Sequence, residues 1–200
     1  MVLAGRTKAA SVYASSIVAR RGVWQSLYYD ALNNWRESNV LGKRRQKLFV
    51  RRSDGSAGFR AGKADEALTV TDAHTVSLGT AQDSAYALMV ILDYSLQRFA
   101  REAQLKNVID LGQKAYGGAT FNEAIYALAN QARHLHAWMD GDKPSKRNAT
   151  IFSMLALDPS HGHAACAFLE NLRLKTYLDF EERVLSTPRD ILTSGPAATL

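Results

Sequence analysis

The sequence predicts an all-α, up-and-down helical bundle with a basic loop or small β-hairpin near residues 43–63. Apolar residues recur at steps of three and four over several long stretches, and a capping box opens one of them. Glycines and prolines cluster between these stretches. Of 200 residues, 46% are hydrophobic, enough for one sizeable core. The expected organisation is a basic N-terminal arm or helix at 1–22, a bundle domain at 23–188, and a flexible tail at 189–200.

The first 29 residues hold no acid, while Arg6, Lys8, Arg20 and Arg21 lie among Ala, Ser and Val. That composition suits a transit segment. It equally suits a helix starting near Ser11, with Val12, Ile17 and Val18 as packing surface and Gly22 as an interruption. From Trp24 to Glu37, the residues Trp24, Leu27, Tyr28, Ala31, Leu32 and Trp35 are spaced as one face of an amphipathic helix.

Between Val40 and Lys63 this periodicity stops. Lys43, Arg44, Arg45, Lys47, Arg51, Arg52, Arg60 and Lys63 surround the short run Leu48-Phe49-Val50. Asp54-Gly55 is a favourable turn dipeptide, so a basic hairpin or a loop that orders on binding is expected.

Thr80 or Asp83 is placed to cap a helix stacking Leu88, Leu92, Leu96 and Phe99. A shorter helix is expected from Leu105 to Tyr116, ended by Gly117-Gly118. Thr120-Phe121-Asn122-Glu123 is a capping box. After it, Phe121, Ile125, Leu128, Ala132, Leu135 and Met139 alternate steps of four and three, predicting a helix packed along its full length. Gly141 to Lys146, with Pro144, breaks the chain. Ile151–Leu157 adds a short helical stretch stopped by Asp158-Pro159. A last long helix is predicted from His163 to Leu185, ended by Pro188, with residues 194–200 frayed.

Composition excludes several function classes. Cys166 is the sole cysteine, so an internal disulfide cannot form, and a reducing, cytoplasmic setting is expected. The longest apolar run, Ala85 to Leu92, is far below the roughly 20 residues of a membrane span, so no membrane partner is expected. Phosphate-cradling glycine loops, GxGxxG, His-Glu-x-x-His and Gly-x-Ser-x-Gly are missing, and no cofactor is expected. Charge is divided unevenly. Residues 1–63 carry 13 Lys/Arg against three acids, and the remainder 12 against 16. A basic segment of this kind suits a polyanion or an acidic protein partner. In 43–63, Phe49 and Phe59 interleave with the arginines, as in nucleic-acid-binding segments. A solvated loop with its rings docked on helices has the same composition.

Reactive chemistry is best placed on the helix that starts at Thr120. At about 100° per residue, Tyr126, Arg133, His136 and Asp140 share one flank, with His134 and Trp138 on the other. Guanidinium grips oxyanions, imidazole titrates near neutrality, and Asp140 is placed to orient it. The same flank is where Arg, His and Tyr lie over a core as packing. His134/His136 and His161/His163 form two His-x-His pairs. Side chains two apart on a helix diverge, and the second pair reads equally as a turn, so no metal site is assigned.

The segment Asn130-Gln131-Ala132-Arg133-His134, followed by Trp138, resembles the Asn-x-x-[Arg/Lys]-His segment of the HEPN (higher eukaryotes and prokaryotes nucleotide-binding) superfamily. The helix order from Ala81 to Leu185 is similar to theirs. The resemblance implies a bundle that pairs as a homodimer and, in active members, a metal-independent ribonuclease. Trp138, Met139 and Asp140 stand where those members have a downstream histidine. The leading expectation is therefore a HEPN-like protein that binds a partner protein or RNA. The alternatives are a metal-independent endoribonuclease using Arg133 with His134 or His136, and a nucleic-acid-binding module using segment 43–63.

Overall fold

A computed structural model describes residues 2–106, 108–174 and 176–194. Among them the chain forms seven α-helices and two small antiparallel hairpins. Helix α1 spans Val2–Val18 and α2 spans Arg21–Leu48. The break between them lies at 19–20, where the Arg20 N–H turns back to the Ile17 carbonyl. The helical start near Ser11 is thus corrected to Val2, and Gly22 lies inside the first turn of α2.

Helix α2 also runs eleven residues past the expected Glu37, taking in Lys43 to Lys47 as helix. Lys, Arg, Gln and Leu are strong helix formers, so local propensity carries the segment without a core stripe. Strands β1 (Phe49–Arg51) and β2 (Ala57–Phe59) follow, pairing Phe49 with Phe59 and Arg51 with Ala57. Gly55 takes φ +83 in the connecting turn, a conformation open to glycine. The hairpin expected near 43–63 is present, confined to 49–59.

Helix α3 begins at Ala64 and runs to Glu102, so neither Thr80 nor Asp83 caps it. Beyond Ala67 and Val70, its residues before Ala81 pack on α2 through small and polar groups, so no long apolar stripe announces this part of the helix. Ser38 of α2 and Ser77 of α3 are buried, and His74 lies against Gly42.

The predicted helix from Leu105 to Tyr116 is absent. Val108–Asp110 form one 3₁₀ turn, and β3 (Lys114–Tyr116) pairs with β4 (Ala119–Thr120) around Gly117-Gly118. The Asn122 amide donates to the Leu111 carbonyl at 2.8 Å, wrapping the segment around the start of the next helix. At Gly117 (φ +61) an added Cβ would lie 1.8 Å from the Met154 carbonyl oxygen, so only glycine fits.

Helix α4 (Phe121–Met139) opens with the expected capping box. The Thr120 hydroxyl accepts from Glu123 N–H, and the Glu123 carboxylate accepts from Thr120 N–H at 2.7 Å. The helix packs to its last turn, but not through the whole of the expected stripe. Phe121, Ile125 and Leu128 are buried, Ala132 and Leu135 half-buried, and Met139 is 60% exposed. In the last turn the buried side chain is Trp138, which joins the main core in place of the expected Met139.

Helix α5 spans Lys146–Met154. The last predicted helix is two, α6 (Ala164–Asn171) and α7 (Tyr177–Ser194). Arg173, at φ +52, reverses the backbone after α6.

Pro188 lies inside α7 instead of ending it. A helical proline leaves the carbonyl four residues earlier without its donor. That carbonyl, Val184, accepts instead from the buried Tyr13 hydroxyl of α1 at 3.3 Å. Ile191 beyond the proline is fully buried, so α7 continues as core to its last turns. The flexible tail expected at 189–200 is thus corrected over 189–194, which are the end of α7, and its remainder lies outside the described residues.

One contiguous core joins these helices. It contains Tyr13 and Ile17 of α1, Tyr28 of α2, Leu88, Leu92 and Phe99 of α3, Ile125 and Leu128 of α4, and Phe168 and Phe180 of α6 and α7. A second, separate cluster of Leu48, Ala67 and Val70, with Leu41 and Phe49 against it, holds the far end of the α2–α3 pair. From Trp35, which packs on the main core, to Leu48 is roughly 20 Å of helix. The α2–α3 pair therefore forms an arm that ends in the β1–β2 ribbon.

Candidate nucleic-acid interface

The α4 flank is organised by pairing within the chain. The Arg133 guanidinium donates to Asp93 Oδ2 of α3 at 2.8 Å and to Asn130 Oδ1 at 3.2 Å. The Asp93 carboxylate is nearly buried, with 7% of its side chain exposed, so it requires that cation. Arg133 thus spans two helices, a partner 40 residues away that no local motif announces.

The other flank residues do not converge on it. His134 stacks on Trp138 with ring centroids 6.2 Å apart. His136 is exposed, and Asp140 caps the helix end through its backbone N–H to the His136 carbonyl. Tyr126 lies under the Arg147 guanidinium at 5.6 Å. Arg147 in turn pairs with Asp110. The four residues expected to share one site are dispersed over separate partners.

The second histidine pair sits at the root of the arm. His161 and His163 stack nearly parallel, with centroids 5.3 Å apart, and His163 stacks on Trp35 at 5.2 Å. The Trp35 indole N–H donates to Glu170 at 2.6 Å. Gln131 secures the loop by donating to the carbonyls of Pro159 and His161. Burial holds the His163 imidazole below its ordinary range, and His161 adds to this. No group of three His, Cys, Asp or Glu side chains among the described residues lies together as a metal cage.

The arm tip gathers charge. Lys43, Arg44, Arg45 and Lys47 occupy the last turns of α2, Arg51 and Arg52 lie on and just after β1, and Arg60 follows β2. Two of the tip cations are neutralised. Arg44 and Lys63 both donate to Glu66, at 2.8 and 2.9 Å, and those hydrogen bonds hold the Glu66 carboxyl below the usual range. Arg45 lies over the Phe49 ring at 5.6 Å, and Arg52 folds across Gly58. Lys43, Lys47, Arg51 and Arg60 are exposed and have no carboxylate partner among the described residues. Asp54, at the turn, directs its carboxylate to Ser56 N–H and Oγ–H, which keep it ionised.

Backbone alternation sorts these side chains. Phe49, Arg51, Ala57 and Phe59 share one face of the ribbon; Val50, Arg52, Gly58 and Arg60 share the other. Phe49 and Phe59 pack with their rings tilted, centroids 5.1 Å apart. The ribbon therefore carries cations on both faces. Sequence reading found the basic residues and the turn but missed Glu66, which sits at i+3 from Lys63, a spacing that could have revealed it.

Compared with family models, curated proteins and solved structures, this chain matches none. No helix among the described residues is long and apolar enough to cross a membrane.

Proposed function

We propose that this protein binds nucleic acid through the tip of the α2–α3 arm. The observation that carries the reading is a tip set off from the main core by its own small apolar cluster, carrying exposed cations that no carboxylate among the described residues neutralises. Cations left unpaired on a projecting element cost little in the free protein. They gain strongly against a phosphate backbone by releasing its counterions. In this reading the HEPN-like segment of α4 serves as scaffold, since Arg133 is committed to Asp93. A homodimer, as the resemblance implies, presents two such tips.

The test is affinity for a mixed-sequence nucleic acid across a salt series. Binding should weaken steeply with salt, and replacing Lys43, Lys47, Arg51 and Arg60 by Gln should lower the slope by about 0.7–0.9 for each lost phosphate contact. An unchanged slope in that variant rules the tip out. Cleavage of RNA in EDTA, abolished by His136→Ala, would move the function to the α4 flank instead.

A further inference from the structure

Resting on that reading, we infer that the ligand of the tip is B-form duplex DNA, entered through the major groove by the β1–β2 ribbon. Single strands are gripped by stacking bases on open aromatic faces. At this tip the Phe49 ring is occupied, with Phe59 packed against it at 5.1 Å and the Arg45 guanidinium over it at 5.6 Å. Phe59 has most of its surface covered. The rings build the tip; of the two, Phe59 keeps 38% of its surface open, one partly covered ring in place of the row of open faces on which successive bases stack.

What the ribbon does present is shape and charge. It is two strands wide and three residues long on each side, with Ser53, Asp54, Gly55 and Ser56 at its end. The B-form major groove, about 12 Å wide and 8.5 Å deep, admits a two-stranded ribbon. The A-form major groove of duplex RNA is too narrow. Entering tip first, the ribbon turns Arg51 toward one phosphate wall and Arg60 toward the other, because they lie on opposite faces. Lys43 and Lys47, one helical turn apart at the end of α2, lie behind the ribbon, where the backbone leaves the groove. The polar turn meets base edges. Asp54 Oδ1 accepts from Ser56 N–H and Oγ–H, which leaves its Oδ2 to accept from a base-edge amino group such as cytosine N4.

The experiment is fluorescence anisotropy of the full chain with four probes of one mixed sequence: duplex DNA, duplex RNA, and the single strand of each. Duplex DNA is expected to bind at least about ten-fold more tightly than the other three. The double variant Arg51→Glu and Arg60→Glu, with an unchanged circular-dichroism spectrum, should lose at least about ten-fold of that affinity. Dimethyl sulfate footprinting adds a groove assignment, with protection expected at guanine N7 in the major groove. Equal or tighter binding of duplex RNA or of a single strand overturns the inference while the arm reading stands. Protection at adenine N3 alone, in the minor groove, overturns it as well. Failure of all four probes to bind overturns both.

Discussion

The bundle and the arm share the two long helices α2 and α3, yet they hold together differently. In the bundle Leu88, Leu92, Ile125 and Leu128 are fully buried, and close packing does the work. Along the arm, α2 and α3 meet through Ser38, Gly42, His74 and Ser77, and only Leu48, Ala67 and Val70 form a local cluster. A region that buries little apolar surface draws less stability from packing and leaves its outer surface uncommitted. The difference marks which part of the molecule carries the fold and which part leaves its surface open.

The sharpest way to break that contrast is a matched pair of truncations read by urea unfolding. Leu128→Ala in the bundle should cost about 3–4 kcal/mol and lower the midpoint of the whole transition. Leu48→Ala at the tip should cost about 1–2 kcal/mol, because its cluster is small and can relax into solvent. Equal losses would mean that the arm is as much core as the bundle is. Arg133→Ala should cost about 1–3 kcal/mol by leaving the Asp93 carboxylate buried without its cation. Replacing both residues by Leu should recover most of that loss, an outcome expected of a structural pair and foreign to a catalytic one. Tyr13→Phe should cost about 1–2 kcal/mol by orphaning the Val184 carbonyl beneath Pro188.

The smallest effect lies at the junction of the two regions, where His163 stacks on Trp35. Its folded pKa is depressed below the ordinary value of about 6.5, chiefly by burial, then by His161, with Asp158 opposing. The unfolded chain therefore binds more protons in the window just below that value. Stability rises with pH there and falls as the solution is acidified. His163→Gln should flatten that part of the stability profile; an unchanged profile would show that the stack does not sense protonation.

Much of this architecture is written locally. The Thr120–Glu123 capping box and the Asp54-Gly55 turn each need only adjacent residues, and both stand where the sequence places them. The elements that escaped reading depend on distant partners. The first turns of α3 are helical because α2 lies against them, and a seam of small residues leaves no apolar stripe to read. Pro188 reads as a terminator until Tyr13, 171 residues from the carbonyl it bonds, supplies the missing donor. The segment after Leu105 has a helical composition but is drawn into a hairpin around the start of α4 by Asn122. The same holds for the candidate sites. The basic tip is legible because charge is a property of composition, whereas the tie between Arg133 and Asp93 is set by how α3 crosses α4.

The sole thiol of the protein, Cys166, is completely covered in α6, and burial pushes it up to about 12. Alkylating reagents attack the thiolate, so at neutral pH this sulfur stays chemically silent until the bundle itself opens. A cysteine placed at exposed Ser53 would then be the one position that takes a dye, and every signal would come from the end of the arm.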